Sequence, residues 1–365
     1  MLRCFLLIAL LGICSALLFT HPSQMNVKMK RNLPKKANHF HHDPNDVSLL
    51  SLHVQMGSGN QQRPEFKIDL TKGDLEILMC YDTTPPAEPD EIWTCYNPNL
   101  SKSYIRVSDN IARDTIKSDF PQQDPFTVHN VTFIYRNSTA GHDYLKGGEG
   151  AIMGLGWPSL QRHPDTFFPY KFLQHYKSKI FSLTFGLDGC EGVHLWGQKC
   201  LTEEQGVKPH YVPVTAQGFW QFALNGFKFG SISQSLTAQA VVTSTKGYIG
   251  MPMKYLSKMM STYGIKWDGL YSSYTVACDA TLPDFDIMIQ GKTITIKSAQ
   301  YIYRKEPLQN GKCVVNFEDS KAYGFGPDWY FGLPLLQSQC LTFDYDQKRI
   351  GFTTNTVFCS FCGCT

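Results

Sequence analysis

From Leu50 onward the chain breaks into short apolar runs rich in β-branched and aromatic residues, separated by Gly, Pro and Asn at strand-and-turn spacing. FKIDL (66–70), LEILM (75–79), HNVTFIY (129–135), IFSLTFG (180–186), FWQFALNGFKFG (219–230), DIMIQGKTITI (286–296) and CLTFDYDQKRIGFTT (340–354) are the clearest. Such runs predict strands. Helical periodicity is confined to short pieces, chiefly MPMKYLSKMMSTYG (251–264), where Met253, Leu256, Met259 and Met260 fall on one face. That stripe reads as core packing. The pattern predicts a mostly β chain with a few short helices.

A faint internal repeat adds organisation. FKIDLTKG (66–73) is followed at a distance by IMGLG (152–156), and VVTSTKG (241–247) by YFGLP (330–334). Each half thus holds a strand, a Thr-Lys-Gly turn and a later apolar-apolar-Gly segment. Two related β lobes are expected, each giving one turn to a shared cleft.

The ends and composition set the compartment. The opening MLRCFLLIALLGICSALLF has a basic start, an apolar run and small residues near Ser15 and Ala16, so residues 1–20 read as a cleaved secretory signal. No later segment is apolar enough to span a bilayer. Two of the 12 cysteines, Cys4 and Cys14, leave with the signal, and the even remainder reads as disulfides in an oxidising compartment. The sequons at Asn99, Asn130 and Asn137 point the same way and mark exposed surface. The destination is outside the cell or in the endolysosomal lumen.

The net charge of +3 is concentrated near the start, in Arg3, Lys28, Lys30, Arg31, Lys35 and Lys36 against Asp43 and Asp46. The rest of the chain is nearly neutral, so nothing favours a nucleic-acid partner. Residues 21–48 are polar, basic and turn-rich and read as a solvated linker or the remnant of a pro-segment. The histidines there, His39, His41 and His42, read as polar filler; no metal or other cofactor is expected. The sequence has no G-x-S-x-G elbow, H-E-x-x-H helix or P-loop.

Several segments in order resemble the pepsin-like aspartic peptidases. GEGAIMGLGWPSL from Gly148 is similar to that family's DGILGLG, and FSLTFG at Phe181 to its FSxxL strand. GFWQFALNGFKFG resembles the YWQ segment, and WYFGLPLLQSQCLTFDYDQKRIGFT the C-terminal WILG…FD…IG block. The resemblance covers nearly the whole mature chain. It implies an all-β, bilobal pepsin-like acid protease fold with a cleft between two lobes, at 49–214 and 215–355, ahead of a Cys-rich tail at 356–365.

The family's engine is a carboxylate pair at the centre of two Asp-Thr-Gly turns. Two close acids share one proton, so the ionised one activates water while the protonated one polarises the scissile carbonyl. Aligning FKIDLTKGDLEILM with FxVxxDTGSSNLWV, with Gly73 as the family glycine and 77–79 as the apolar triplet, puts Thr71 at the first catalytic position. Asp69 and Asp82 are the rivals. Choosing Asp69 moves the triplet out of register, and Asp82 lies in DTTPP without a glycine. In the second lobe Pro252 and AVV place Thr243 where Asp is expected, while the Thr-Lys-Gly repeat favours Thr245. Either way, no Asp or Glu lies between Leu236 and Pro252. The cleft turns would be Thr71, Lys72 and Gly73 facing Thr243, Ser244 and Thr245. Only IRVSDNIAR joins Tyr104 to Asp114, so the family's flap hairpin is expected to be missing.

A Thr hydroxyl does not ionise near neutrality and cannot serve as general base toward water. The expectation is therefore a secreted pseudo-peptidase, a monomeric glycoprotein that binds a peptide or protein ligand without cutting it. The alternatives are an active aspartic endopeptidase with a non-standard acid pair and a structural extracellular glycoprotein. The resemblance also implies a Cys278–Cys313 disulfide and a first-lobe loop disulfide at Cys80–Cys95. Cys190 with Cys200 is a plausible local pair, leaving Cys340, Cys359, Cys362 and Cys364, with the tail available to Cys340.

Overall fold

The computed structural model describes residues 25–28, 51–58, 62–81, 95–118, 127–136, 150–174, 178–185, 192–196, 200, 206–304, 307–321 and 326–354. The expected signal peptide, most of the 21–48 segment, Asp82, Asn137, Cys190 and the Cys-rich tail lie outside these residues.

The apolar runs form strands, and the strands form curled sheets in a bilobal, pepsin-like all-β fold. A seven-stranded sheet takes Ser51–Met56, Glu65–Asp69, Ala151–Gly154, Leu75–Leu78, Thr127–Arg136, Ile111–Ser118 and Ile105–Arg106 in that spatial order. Ser51–Met56 also pairs with Ile111–Ser118, so the sheet closes on itself. A second seven-stranded sheet runs Lys292–Ile296, Phe285–Ile289, Gln221–Phe229, Ile232–Val242, Trp329–Phe331, Ile249–Met251, Phe317–Asp319. Beside it lies a four-stranded sheet of Lys266–Asp268, Ser273–Ala277, Lys312–Val315 and Ile302–Tyr303.

A six-stranded sheet joins the two halves. Its central strands are Ile180–Phe185, Gln339–Asp344 and Arg349–Thr354, with His210–Pro213 on one edge. Gly192–Trp196 and then Met25–Lys28 complete the other edge. The linker expected over 21–48 therefore contains a strand: backbone pairing at an open sheet edge outweighs the polar composition that suggested solvated chain.

The core is aromatic where the halves meet. Trp157 and Trp220 lie with ring centroids 4.7 Å apart, and Tyr345 packs on both. Two of the three polar tips are satisfied: Trp220 Nε1 donates to the Leu155 carbonyl (2.8 Å) and the Tyr345 hydroxyl to that of Gly156 (2.8 Å), while Trp157 Nε1 is buried without a partner. Buried aromatic rings with partnered polar ends contribute large apolar area and fix orientation together. On the helix Met253–Tyr263 the expected stripe is narrower than its pattern, since Leu256 and Met259 are buried, Met260 is partly so and Met253 is exposed.

Three disulfides are described. Cys80–Cys95 and Cys278–Cys313 match the pairings that the resemblance implied. Cys200 does not pair with Cys190; it is bonded to Cys340, 140 residues away. The local reading failed because nearness in sequence was the only warrant for it. Cys200 lies instead against the strand Gln339–Asp344, where Thr342 Oγ1 sits 3.3 Å from its sulfur.

Candidate functional site

Each seven-stranded sheet carries the same crossing of chain. In the first, Glu65–Asp69 pairs in parallel with Ala151–Gly154, matching Ile68 to Met153 and Asp69 to Gly154. In the second, Ile232–Val242 pairs in parallel with Trp329–Phe331, matching Val242 to Phe331, and the next step sets Thr243 beside Gly332. Hydrogen bonds past the strand ends agree: Asp69 O accepts from Leu155 N, while Thr243 N donates to Phe331 O.

Equivalent places in the two halves are therefore Asp69 and Thr243, Leu70 and Ser244, Thr71 and Thr245. Of the two pairings the sequence left open, Thr71 with Thr243 is two residues out, and Thr71 with Thr245, which the Thr-Lys-Gly repeat favoured, is in register; the residue equivalent to Thr243 is Asp69. Side-chain geometry repeats the correspondence. Asp69 Oδ1 accepts from the Thr71 amide (2.8 Å) and the Thr71 hydroxyl (2.6 Å). Thr243 Oγ1 accepts from the Thr245 amide (3.3 Å) and lies 3.1 Å from the Thr245 hydroxyl. Each turn thus closes by a side chain bonding backbone two residues on.

Ser244 ties the turns together. Its hydroxyl accepts from Leu70 N (2.9 Å) and donates to the Ile68 carbonyl (2.8 Å), embracing the Asp69 peptide from the other half of the chain. Thr243, one residue away, is 2% exposed and Asp69 6% exposed. Leu70, the counterpart of Ser244, has no hydroxyl, so the tie is one-sided. Replacing Ser244 by Ala leaves a buried amide and a buried carbonyl unpaired, each costing about 1–3 kcal/mol. Ser244→Ala is expected to lower unfolding free energy by about 3 kcal/mol in urea titration; a change under about 1 kcal/mol would show that water or a shift of the turn replaces the bridge.

The glycine that anchored the sequence alignment has another task. A Cβ on Gly73 would lie 2.7 Å from Gln161 N and 2.8 Å from Trp157 O, so Gly73 allows the segment 157–161 to press on the first turn. Gly332 serves a similar close approach, where a Cβ would lie 2.0 Å from Lys246 O. With Asp69 in register, Leu75, Glu76 and Ile77 take the triplet, and the middle member is a charge.

Glu76 is nevertheless buried. It meets Lys72 Nζ (3.0 Å), Arg136 Nε (3.1 Å) and Arg162 Nη2 (2.6 Å). Arg162 also holds Asp74 (2.8 Å), which accepts from Thr166 Oγ1 (2.6 Å). Burial by itself would raise the Glu76 pKa, but Lys72, Arg162 and Arg136 together bring it below its usual 4.5. A carboxyl whose folded pKa is depressed stabilises the fold fully above its unfolded value and loses that contribution as pH falls through the folded one. Glu76→Gln is therefore expected to cost about 3 kcal/mol at pH 7, the low end for a broken buried pair because its cations are partly exposed. Unfolding titrations across pH should show the deficit shrinking on acidification below 4.5. A deficit that stays constant with pH would refute the ion-pair account.

No flap hairpin rises between Tyr104 and Asp114. Ile105–Arg106 pairs directly with Ile111–Ser118 through a tight exposed turn. Asp114 is buried and anchors this turn by accepting from Tyr96, Ser103 and the Thr115 amide. Burial and then the Asp114 carboxylate push the Tyr96 hydroxyl well above its ordinary pKa, so it stays a donor.

Of the sequons, Asn99 and Asn130 are exposed. Among the described residues no group of three or more His, Cys, Asp or Glu is placed to hold a metal, and no helix is long and apolar enough to cross a membrane.

Paired turns crossing between two β halves define the bilobal acid-protease class. The family model for eukaryotic aspartyl proteases matches residues 92–355, well over half the chain, and the protein belongs to that family. Aspartic protease 10 of Caenorhabditis elegans is 28% identical over 70% of this chain and 63% of its own length. Aspartic protease 17 of the same organism is 30% identical over 55% of this chain and 53% of its own. The chain thus spans between about half and two thirds of these two relatives. It aligns with 98% of Aspartic protease 1, from the same organism, at 23% identity over 97% of its own length.

Proposed function

We propose that this protein is a secreted, non-cleaving member of its family that holds an extended peptide or protein segment between its lobes. The observation that carries this reading is the mismatch of the two turns: Asp69 stands in one, and the equivalent place in the other is Thr243. A lone carboxylate can accept a proton from water, but no second acid is there to donate toward the scissile carbonyl. Positioned acid–base groups contribute about 10²- to 10⁴-fold each, and this chemistry uses them as a pair. The reading thus keeps one family acid, whereas the sequence alignment had removed both.

The turn frame, with its Ser244 bridge and close glycine contacts, survives the loss. A groove between β lobes can hold extended backbone by hydrogen bonding without any chemistry. Exposed sequons at Asn99 and Asn130, the disulfides and the apolar N-terminus support a glycoprotein routed through the secretory pathway.

A second reading is an active peptidase, favoured by retention of Asp69 in its turn and by relatives named as aspartic proteases. The two are separated by incubating the secreted protein with denatured substrate proteins from pH 3 to 7. The expected outcome is no new fragments, with saturable retention of peptides on the immobilised protein. Pepstatin-sensitive fragments that vanish in Asp69→Asn would establish the active reading instead.

A further inference from the structure

Lys266–Asp268 is an edge strand: it pairs with Ser273–Ala277 on one side and with no other strand among the described residues. The turn joining the two is set locally. Asp268 Oδ1 accepts from Leu270 N (3.2 Å), and Ser272 takes the left-handed conformation, at φ 46°, that closes the hairpin. This leaves Leu270 65% exposed and Trp267 52% exposed, whereas Trp157, Trp220 and Trp329 are buried. We propose that this hairpin tip inserts into the surface of a bilayer that carries anionic lipid.

Charge selects that partner. No Asp or Glu occurs from Gln205 to Trp267, a stretch with six lysines. Lys254 and Lys258 lie one turn apart on the solvent side of the helix Met253–Tyr263, whose Leu256 and Met259 face the core, and Lys266 adjoins Trp267. All three are exposed, and none is ion-paired among the described residues. Like charges at i, i+4 repel, so the fold itself gains nothing from holding both helix lysines. Acids near the tip are engaged within the fold. Asp268 meets Lys312 Nζ (3.5 Å) and Asn310 Nδ2 (2.9 Å), Asp319 accepts from the Lys321 amide (3.0 Å), and one carboxylate oxygen of Glu318 is buried.

A lipid surface uses both features at once. Tryptophan settles at the headgroup level with its ring in the apolar boundary and its N–H toward water, and leucine enters the acyl region beside it. Lysines stay with the anionic headgroups and keep their stems on the apolar side. Each signal alone is weak, and together they give reversible attachment. A stable protein interface needs about 800 Å² on each partner, far more than one Trp and one Leu at a turn present. The inference stands apart from whether the cleft cuts peptides or holds them.

The test mixes the full secreted protein with vesicles of phosphatidylcholine, either pure or with one-quarter phosphatidylserine, and follows sedimentation and tryptophan emission. Binding to the anionic vesicles is expected to be at least about tenfold tighter than to the neutral ones and to weaken as salt is added. Emission should move to shorter wavelength and be quenched by lipids brominated in the acyl chain, and Trp267→Phe must remove both effects. Leu270→Ser, at a side chain with little packing to lose, should weaken binding about tenfold. Changing Lys254, Lys258 and Lys266 together to Gln should erase the preference for anionic vesicles while leaving binding to neutral ones unchanged. Failure to bind anionic vesicles at low salt overturns the inference. So does binding that is neither quenched nor weakened by Leu270→Ser, which is adsorption by charge alone. A shift in emission that appears without lipid and grows with protein concentration overturns it too, by showing that a second copy covers the tip.

Discussion

Replacing Thr243 by Asp is expected to turn on cleavage of denatured proteins at acid pH, by at least about 10²-fold over the parent. The substitution sets a carboxyl group at the place that the strand pairing makes equivalent to Asp69. Two neighbouring acids that cannot both ionise share a proton, which supplies the base for water and the acid for the carbonyl. The gain should stay toward the lower end of a single group's worth, because the short turn between Ile105–Arg106 and Ile111–Ser118 offers no lid to exclude water. Adding Asp69→Asn must abolish the new activity. The control is Thr71: if the register read from the sequence were right, Thr243→Asp alone would be silent and activity would need Thr71→Asp as well. A parent that already cleaves equally well would show that the working acid pair lies elsewhere.

That control exists because part of the site was legible and part was not. The strands were readable because β-branched and aromatic runs between turn residues have few other uses, and the family blocks from Gly148 to the C-terminus stand in order. The second turn was readable as acid-free by inspection. The first was misread for two physical reasons. Gly73 looked like a turn glycine, yet it is there to admit the backbone of 157–161. Choosing Asp69 moved the apolar triplet out of register by bringing in Glu76, and only the structure reveals that Lys72, Arg136 and Arg162 converge on that carboxylate. A gap-free alignment of the repeat, IDLTKG against VTSTKG, already sets Asp69 beside Thr243; the signal was present and was outweighed by the expected glycine. Disulfide partners were legible where the family blocks flank them and illegible at Cys200, whose partner is brought near by sheet pairing alone.

That long-range disulfide sets the second large expectation. In the chain-entropy account a cross-link stabilises by restricting the unfolded chain, and the effect grows with the logarithm of the loop it closes. The separations are 15 residues for Cys80–Cys95, 35 for Cys278–Cys313 and 140 for Cys200–Cys340. The corresponding contributions are about 3, 4 and 5 kcal/mol. Cys200→Ala with Cys340→Ala should therefore cost the most, about 5 kcal/mol, a large part of the roughly 5–15 kcal/mol of a typical domain. Alanine is the right replacement because both cysteines are buried, at 0% and 1% exposure, and a serine would add an unsatisfied hydroxyl. Urea unfolding of the three paired alanine variants measures the order directly. The loss should also reach the cleft: Cys340 lies on Gln339–Asp344, which pairs with Ile180–Phe185 in the sheet joining the two halves. Loosening that sheet frees the halves to shift against each other, and the Ser244 bridge between the turns is then among the contacts, with Trp220 to Leu155, that hold them. If Cys80–Cys95 proved the costlier bond to lose, native-state packing rather than loop closure would govern the cross-links, and the joining sheet would hold without its sulfur tie.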